Sequence, residues 1–206
     1  LGLAVITAFP SSRLPLADLV KNSFQLKKNV DSTLTQSVVL ISVVSRKQGS
    51  ITGTGFNIDP GGLIITNYHV IEDALNMSIT FPDGKVYRAE KWSSRPEADL
   101  AAIVLQAENL PAVPVDFYRL PAPGDKIKVV GNPLELSNIL VEGKVEHYLK
   151  IRDKQGKNFS IDAPIYPGNS GSPVYNMSGQ VVGVIFGSLQ GGNDGSGEGR
   201  GLAVTI

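Results

Sequence analysis

Three short segments of the sequence carry side chains that could act together in nucleophilic catalysis. The first, Tyr166–Val174 (YPGNSGSPV), places Ser170 between glycines, directly after a Pro-Gly turn and before an apolar run. Glycines on both sides let the backbone turn sharply and present amide N–H groups outward. The amides of Gly168 and Ser170, with Asn169 shaping the turn, are therefore candidate donors to an oxyanion. A plain Gly/Ser-rich hairpin turn explains the same residues.

The other two segments each supply one polar residue beside an apolar run. Ile64–Ala74 (IITNYHVIEDA) places His69 in a turn after a strand, where an imidazole can face a cleft and act as a general base. Glu97–Leu105 (EADLAAIVL) places Asp99 just before a strongly apolar strand. A carboxylate there can accept a hydrogen bond from a histidine ring and stabilise the imidazolium. A solvated histidine and a strand-initiating aspartate are the ordinary alternatives.

The chain order of the three candidates strengthens each of them. His69, Asp99 and Ser170 occur in the order of the chymotrypsin-type arrangement, which differs from that of subtilisin and of the α/β-hydrolases. Position 172 is a serine, so the segment is not Gly-x-Ser-x-Gly, and the residues after it are typical of a strand rather than a helix. The sequence therefore predicts acyl transfer, in which Ser170 attacks a carbonyl, His69 transfers the proton and Asp99 orients the imidazole.

Composition excludes several other classes of function. The 206 residues carry 19 Lys plus Arg and 19 Asp plus Glu, a balance that argues against a basic nucleic-acid binder and an electrostatic membrane binder. Cysteine is absent, which excludes disulfides, Cys-ligated zinc and a cysteine nucleophile. The only histidines are His69 and His147, so we do not expect a metal site built mainly from histidine. The apolar start, Leu1–Phe9, fits equally the tail of an export or anchor segment and an ordinary packing segment.

Short runs rich in Val, Ile, Leu and Thr alternate with Gly and Pro, which is typical of many short strands joined by tight turns. The predicted strands include Ser37–Val44, Gly62–Thr66, Met77–Phe81, Leu100–Leu105, Lys126–Val130, Ile139–Val145 and Gln180–Phe186, with a turn at Pro82-Asp83-Gly84. Apolar spacing after Pro15 predicts a helix over residues 15–30, and a second helical turn is expected over 69–74. The glycine-rich stretch Gly187–Gly201 is predicted to be a mobile loop.

The prolines of Gln106–Gly124 discourage strand pairing and separate two strand-rich halves of similar size. The predicted fold class is therefore all-β, with two six-stranded antiparallel β-barrels packed side by side and an N-terminal helix. We expect an N-terminal segment over residues 1–36, a first barrel over 37–112 and a second over 113–206. His69 and Asp99 then belong to the first half and Ser170 to the second, with a substrate cleft between them.

The chain resembles the trypsin-like serine proteases, and within them the HtrA type. The residues that carry the resemblance span about three quarters of the chain: TGTGFNID (Thr52–Asp59), GLIITNYHV (Gly62–Val70), ADLAAIVL (Ala98–Leu105), GNP (Gly131–Pro133), PGNSGSPV (Pro167–Val174) and GRGLAVTI (Gly199–Ile206). Two departures stand out: Ser172 replaces the second glycine that commonly comes after the nucleophile, and Tyr68 precedes the histidine where the family often has Asn or Ala.

The resemblance implies endopeptidase activity on polypeptides without a cofactor, in protein quality control outside the cytoplasm. It also implies a homotrimer contact through Leu1–Lys28, although packing of that helix within the chain is an equal alternative. A peptide-binding PDZ domain commonly comes after the protease domain in this family, so a PDZ domain beyond Ile206 or a peptide effector is a further expectation. The family can hold the oxyanion loop inactive until an effector binds.

Specificity depends partly on one position. The trypsin pattern places an acid six residues before the nucleophile to select basic side chains, and here that residue is Pro164, with Ile165 beside it and Asp162 two residues off. We therefore expect a small or aliphatic residue before the scissile bond, with Ile185, Phe186 and Gly187 forming the pocket wall and pairing with substrate backbone. The alternatives are a catalytically latent or inactive member acting as a chaperone-like or regulatory binding module, and a structural β-protein whose triad is coincidental.

Overall fold

The computed structural model of the chain describes residues 32–132, 138–189 and 200–206. Within these residues the helices are α1 (Ser32–Gln36) and α2 (Tyr68–Ile71), with a short 3₁₀ helix at Pro96–Ala98. The strands are β1 (Val38–Ser45), β2 (Gly49–Asn57), β3 (Leu63–Thr66), β4 (Ala74–Thr80), β5 (Val86–Arg88), β6 (Lys91–Arg95), β7 (Leu100–Val104), β8 (Lys126–Gly131), β9 (Ile139–Leu149), β10 (Asn158–Pro164), β11 (Pro173–Tyr175), β12 (Val181–Leu189) and β13 (Arg200–Thr205).

The strands form two antiparallel sheets, one from each half of the chain. The first has seven strands in the order β5-β4-β1-β2-β3-β7-β6, and the second closes into a six-stranded barrel in the order β10-β13-β12-β11-β8-β9. The predicted all-β fold is confirmed. The first half carries one strand more than expected, because the short β5 and the fully exposed β6 lack the apolar run that marks the other strands. The predicted helix over 15–30 lies outside the described residues.

Turn chemistry places the strands where the sequence predicts them. Gly84, at φ +86°, closes the predicted Pro82-Asp83-Gly84 turn and donates its N–H to the Phe81 carbonyl at 2.9 Å. The expected helical turn after His69 is shorter than predicted, because β4 begins at Ala74. The mobile loop predicted over 187–201 is wrong at both ends, since residues 187–189 belong to β12 and 200–201 to β13. Residues 190–199 lie outside the described part.

Three apolar cores hold the sheets, and one of them joins the two halves. Val39, Ile41, Ile64, Ile79 and Ile103 are among the residues that fill the first sheet, while Ile127, Val129, Phe159, Ile161 and Ile185 are among those that fill the barrel. The joining core packs Val38 and Phe56 of the first sheet against Val130, Tyr175 and Phe186 of the barrel. Each large side chain buried in this way contributes about 1.5–3 kcal/mol, so the joining core fixes the two halves side by side.

Candidate active site

Ser170 lies in a tight turn between β10 and β11 whose shape is set by two glycines. Gly168 and Gly171 both have positive φ, at +92° and +85°, a region that disfavours residues with a Cβ. The Asn169 amide donates to the Tyr166 carbonyl at 3.1 Å, and the Ser172 amide donates to the Asn169 carbonyl at 2.9 Å. Among the described residues, the amides of Gly168 and Ser170 donate to no backbone carbonyl. The Asn169 amide is thus used within the turn.

The turn is anchored to the first sheet by Thr54 of β2. The Thr54 amide donates to the Ser170 carbonyl at 2.8 Å, and its hydroxyl donates to the Gly168 carbonyl at 2.7 Å. The same hydroxyl accepts the Asn132 amide at 3.0 Å, and Thr66 Oγ1 donates to the Thr54 carbonyl at 2.7 Å. One fully buried threonine therefore connects the nucleophile turn, strand β8 and the end of strand β3.

Close packing explains why Gly171 stays a glycine and why Ser172 is accepted. A Cβ at Gly171 would contact the Thr54 carbonyl oxygen and Thr66 Oγ1. Ser172 is not among the residues with positive φ, so its Cβ meets no backbone penalty. Its side chain is fully buried. The departure from the family's second glycine therefore leaves the turn intact.

His69 and Asp99 are presented by two short segments at the end of the first sheet. Strand β3 ends at Thr66, and helix α2 then carries His69 outward while Val70 and Ile71 bury the opposite side. Asp99 lies directly after the 3₁₀ helix in a left-handed conformation, at φ 54° and ψ 40°. Its carbonyl accepts the side-chain amide of Asn67 at 3.0 Å, which fixes this uncommon backbone geometry beside α2.

The Asp99 carboxylate holds His69 by both its ring and its backbone. Nδ1 of His69 lies 2.9 Å from Asp99 Oδ2 and 3.1 Å from Oδ1, and the His69 amide donates to Oδ1 at 3.0 Å. Because a carboxylate only accepts, Nδ1 carries the proton in the neutral ring and Nε2 holds the free lone pair. Nε2 is buried without a hydrogen-bond partner among the described residues, so Ser170 Oγ is not bonded to it in this conformation.

A cation that the sequence analysis did not anticipate completes the carboxylate's surroundings. Lys154, in the loop between β9 and β10, places Nζ 2.7 Å from Asp99 Oδ2. The Asp99 side chain is 3% exposed, and burial alone would raise its pKa. The hydrogen bond and charge of His69, together with those of Lys154, outweigh burial and hold the pKa of Asp99 below its usual value. Asp99 is therefore an ionised, fully bonded group at neutral pH.

The residues expected to shape a specificity pocket occupy different environments. Pro164 is half-buried at the end of β10, and Ile165 beyond it is buried in the barrel core. Asp162 is exposed, because strand alternation turns it away from the buried side chains of Ile161 and Ala163.

Ile185 and Phe186 of β12 are fully buried, and Gly187 comes next in the same strand. The backbone of Ile185 is engaged with the nucleophile turn, because its amide donates to the Ser172 carbonyl and its carbonyl accepts the Gly171 amide. The structure therefore brings Ile185 to the turn by its backbone rather than by its side chain.

Sequence reasoning identified the residues marked by turn glycines and strand ends, and it missed two that act over long range. Thr54 belongs to the TGTGF segment quoted for the resemblance, but nothing local marks its contact with Gly168, 114 residues away. Lys154 sits among other charged residues and has no distinguishing signal. His147, the other histidine, lies on β9 with Nδ1 3.4 Å from Ser160 Oγ and is not part of the Asp99 cluster.

The described residues contain no group of three or more His, Asp or Glu side chains arranged to hold a metal ion. Within the same ranges, no helix combines the length and apolar character needed to cross a membrane.

Comparison with known families agrees with this architecture. Residues 53–184 match the model of the trypsin-like peptidase domain, a span that includes His69, Asp99 and Ser170. The chain therefore belongs to the trypsin-like peptidase domain family.

Individual relatives point to the HtrA branch of that family. The chain is 36% identical over 145 residues to the putative serine protease HhoB of Synechocystis sp., covering 68% of this chain and 34% of that protein. It is 37% identical over 143 residues to a probable periplasmic serine endoprotease, DegP-like, of Chlamydia trachomatis, covering 68% and 29%. A serine endoprotease structure from Yersinia pestis superposes with a TM-score of 0.72 at 27% identity, covering 86% of this chain and 62% of that one. The chain spans about a third of the length of these two sequence relatives.

Proposed function

We propose that this protein is an HtrA-like serine endopeptidase that cleaves peptide bonds through an acyl-enzyme formed on Ser170. One observation carries the proposal. A buried, ionised Asp99 fixes the His69 ring by Nδ1 and by its backbone amide, while Thr54 ties the Ser170 turn to the same sheet. This is the arrangement that a serine nucleophile and its general base require.

The reaction is derived from the protonation states of these residues. With Nδ1 donating to Asp99, the lone pair of His69 Nε2 takes the Ser170 hydroxyl proton as Oγ attacks the peptide carbonyl. His69 then gives that proton to the leaving amine, and water hydrolyses the acyl-enzyme by the same steps in reverse. Asp99 stays ionised throughout and stabilises the imidazolium.

The developing oxyanion is bound by backbone amides of the nucleophile turn. The amides of Gly168 and Ser170 are the donors, and they are not consumed by backbone bonds within the described residues. Asn169 contributes by holding the turn, since its own amide is bonded to Tyr166. Loss of one such donor costs about 10²–10³ in turnover, so the conformation of this turn controls activity.

Substrates are polypeptides with a small or aliphatic residue before the scissile bond. The apolar Pro164 and Ile165 stand where a trypsin pattern would need an acid, and the nearby Asp162 faces away. Gly187 of β12 brings no side chain to this pocket, and the neighbouring Ile185 and Phe186 are fully buried on the two faces of the strand. By similarity to its relatives, the protein acts outside the cytoplasm in protein quality control; the name of the Chlamydia relative includes a periplasmic location.

Digestion of an unfolded protein tests this function. We expect casein to be cleaved by the wild type and not by Ser170→Ala, with cleavage sites read by mass spectrometry. Cleavage should occur after Val, Ala or Ile rather than Lys or Arg. Cleavage after basic residues would overturn the specificity, and equal cleavage by both proteins would overturn the triad.

A latent resting state is the second candidate, because Ser170 Oγ does not bond to His69 Nε2 in the structure. Such contacts often shorten only when substrate binds, so dependence on an effector is what distinguishes the two states. A latent enzyme would digest casein only after a peptide effector is added. A non-enzymatic binding module would stay inactive with every effector.

A further inference from the structure

We propose that Lys154 is a positioning residue of the catalytic site, which fixes the Asp99 carboxylate that orients His69 and offsets part of the charge of that carboxylate. The inference rests on the proposed triad, since it assigns a role to a side chain that touches Asp99 rather than the substrate.

The contact has the geometry of a strong ion pair. Lys154 Nζ lies 2.7 Å from Asp99 Oδ2, the same oxygen that His69 Nδ1 binds at 2.9 Å. The lysine side chain is 16% exposed, compared with 3% for the aspartate. Charge-assisted bonds at these distances are the strong class of hydrogen bond. With the amide and ring of His69 on Oδ1, both oxygens of the carboxylate are held.

The lysine is itself held in place by its surroundings. Its Nζ lies 4.3 Å from the centroid of the Phe186 ring, on a strand that also bonds the nucleophile turn. The next residue, Gln155, donates its amide to the Glu97 carbonyl at 2.6 Å. The loop over 150–157 thus docks on the segment that carries Asp99. Because that loop belongs to the barrel and Asp99 to the first sheet, the pair joins the two halves directly behind the site.

The remaining charged groups near the pair do not compete with it. Glu97 is largely exposed beside Arg95, and Glu72 contacts the Tyr68 hydroxyl on α2. Strand β12 contributes only the uncharged ring of Phe186 at this point. The carboxylate of Asp99 is therefore shared between two partners, His69 and Lys154.

Because Asp99 is shared in this way, the direction and size of the electrostatic effect of Lys154 on the His69 ring can be calculated. An imidazolium at His69 feels the attraction of Asp99 and the repulsion of Lys154, so the lysine makes protonation of the ring less favourable. Because both nitrogens bind one oxygen at 2.7 and 2.9 Å, they are at most about 5.6 Å apart. Coulomb's law at that distance gives about 0.5–2 pH units for effective dielectric constants between about 80 and 20.

Titration of the histidine ring signals by NMR tests the proposal without relying on activity. The chain has two histidines, so His147 on β9 serves as an internal reference. In Lys154→Met, we expect the pH at which His69 is half protonated to rise by about 0.5–2 units, while His147 does not change. Lys154→Arg, which keeps the charge, should restore the wild-type midpoint. Lys150→Met removes an exposed lysine from the same loop and should change nothing.

The rate of fluorophosphonate labelling of Ser170 against pH gives the second readout. The fall in labelling rate on the acid side of this profile should occur at higher pH in Lys154→Met than in the wild type. In Lys154→Arg it should occur at the wild-type pH. An unchanged His69 midpoint in folded Lys154→Met would overturn the inference, as would an equal shift in Lys150→Met. If Lys154→Met does not fold, Lys154→Gln replaces it, and the same two results would overturn the inference. A folded Lys154→Arg whose His69 midpoint differs from that of the wild type would also overturn the inference. Absence of labelling in the wild type at every pH, with and without a peptide effector, would refute the proposed function instead, since the NMR result does not depend on it.

Discussion

Replacement of Thr54 by valine tests how the first sheet controls the nucleophile turn. The hydroxyl of Thr54 donates to the Gly168 carbonyl at 2.7 Å and accepts the Asn132 amide at 3.0 Å, and the residue is fully buried. Valine keeps the shape and the strand preference of threonine, so it opens no cavity. It removes both hydrogen bonds and leaves the carbonyl of the half-buried Gly168 and the buried amide of Asn132 without these partners.

The loss of stability in Thr54→Val comes from the two backbone groups that lose their hydrogen-bond partner. Each polar group left unpaired costs about 1–3 kcal/mol, so Thr54→Val should lower the free energy of unfolding by about 2–6 kcal/mol. For a domain of this size, that corresponds to a drop in Tm of about 4–24 °C. Freed from Thr54, the Gly168 carbonyl no longer fixes the backbone of the turn, so the neighbouring Gly168 amide is aimed less well at the oxyanion. We therefore expect the rate of fluorophosphonate labelling to fall by about 10–100-fold, less than the loss of a whole oxyanion donor.

Thr52→Val is the matched control for this change. Thr52 lies two residues earlier on the same side of β2 and makes no side-chain hydrogen bond within the described residues. Its replacement should alter stability by less than about 0.5 kcal/mol and leave labelling unchanged. The tests are thermal melting by circular dichroism and labelling rates measured well below either Tm. Equal Tm values for wild type and Thr54→Val, or equal labelling rates, would refute the role assigned to Thr54.

Three further predictions concern the nucleophile turn, the joining core and the effect of pH on stability. Gly171→Ala places a Cβ against the Thr54 carbonyl at a residue with φ +85° and should abolish labelling. The control Gly84→Ala has a similar φ of +86° but open space around it, so it should lower the free energy of unfolding by only about 1 kcal/mol and leave labelling intact. Comparable labelling losses in the two variants would contradict the packing argument. Tyr175→Phe removes a buried hydroxyl that donates to a backbone carbonyl at 3.1 Å, so urea unfolding should show a loss of about 1–3 kcal/mol, and no loss would count against that bond. Because the folded-state pKa of Asp99 is lowered, its stabilisation is full above its unfolded pKa and declines as pH falls through the folded value. The stability difference between wild type and Asp99→Asn, measured in urea, should therefore be largest above about pH 4 and shrink at lower pH; a difference that grows on acidification would reverse the sign argument.

The parts of this structure that local chemistry determines were accessible from sequence. Turn glycines around Ser170, the strand end before His69 and the apolar run after Asp99 are each readable within about ten residues. Strands such as β1, β7 and β8 were predicted from their apolar runs, whereas β2, β10 and β13 were not among the predicted strands. Strand β6, with every residue exposed, offers no such run, and β5 is only three residues long. Those two strands exist because β4 and β7 provide edges to pair with.

The contacts that depend on tertiary placement were not accessible in this way. β12 is buried on both faces, since Ile185 faces the barrel core while Phe186 faces the core between the sheets, and no period in VVGVIFGS reveals which neighbours they meet. The Lys154–Asp99 pair joins residues 55 positions apart in different halves of the chain. Its loop carries several charges of both signs, and only the docking of the two halves selects one of them.

Identification of the residue modified by a fluorophosphonate probe tests the central claim most directly. The folded wild-type protein is labelled, digested and sequenced by mass spectrometry, beside Ser170→Ala and His69→Ala. We expect one modified residue, Ser170, with no modification in the first variant and a rate reduced by about 10³-fold or more in the second. Labelling that persists in Ser170→Ala, or at an unchanged rate in His69→Ala, would contradict the assignment of this site as a serine protease triad.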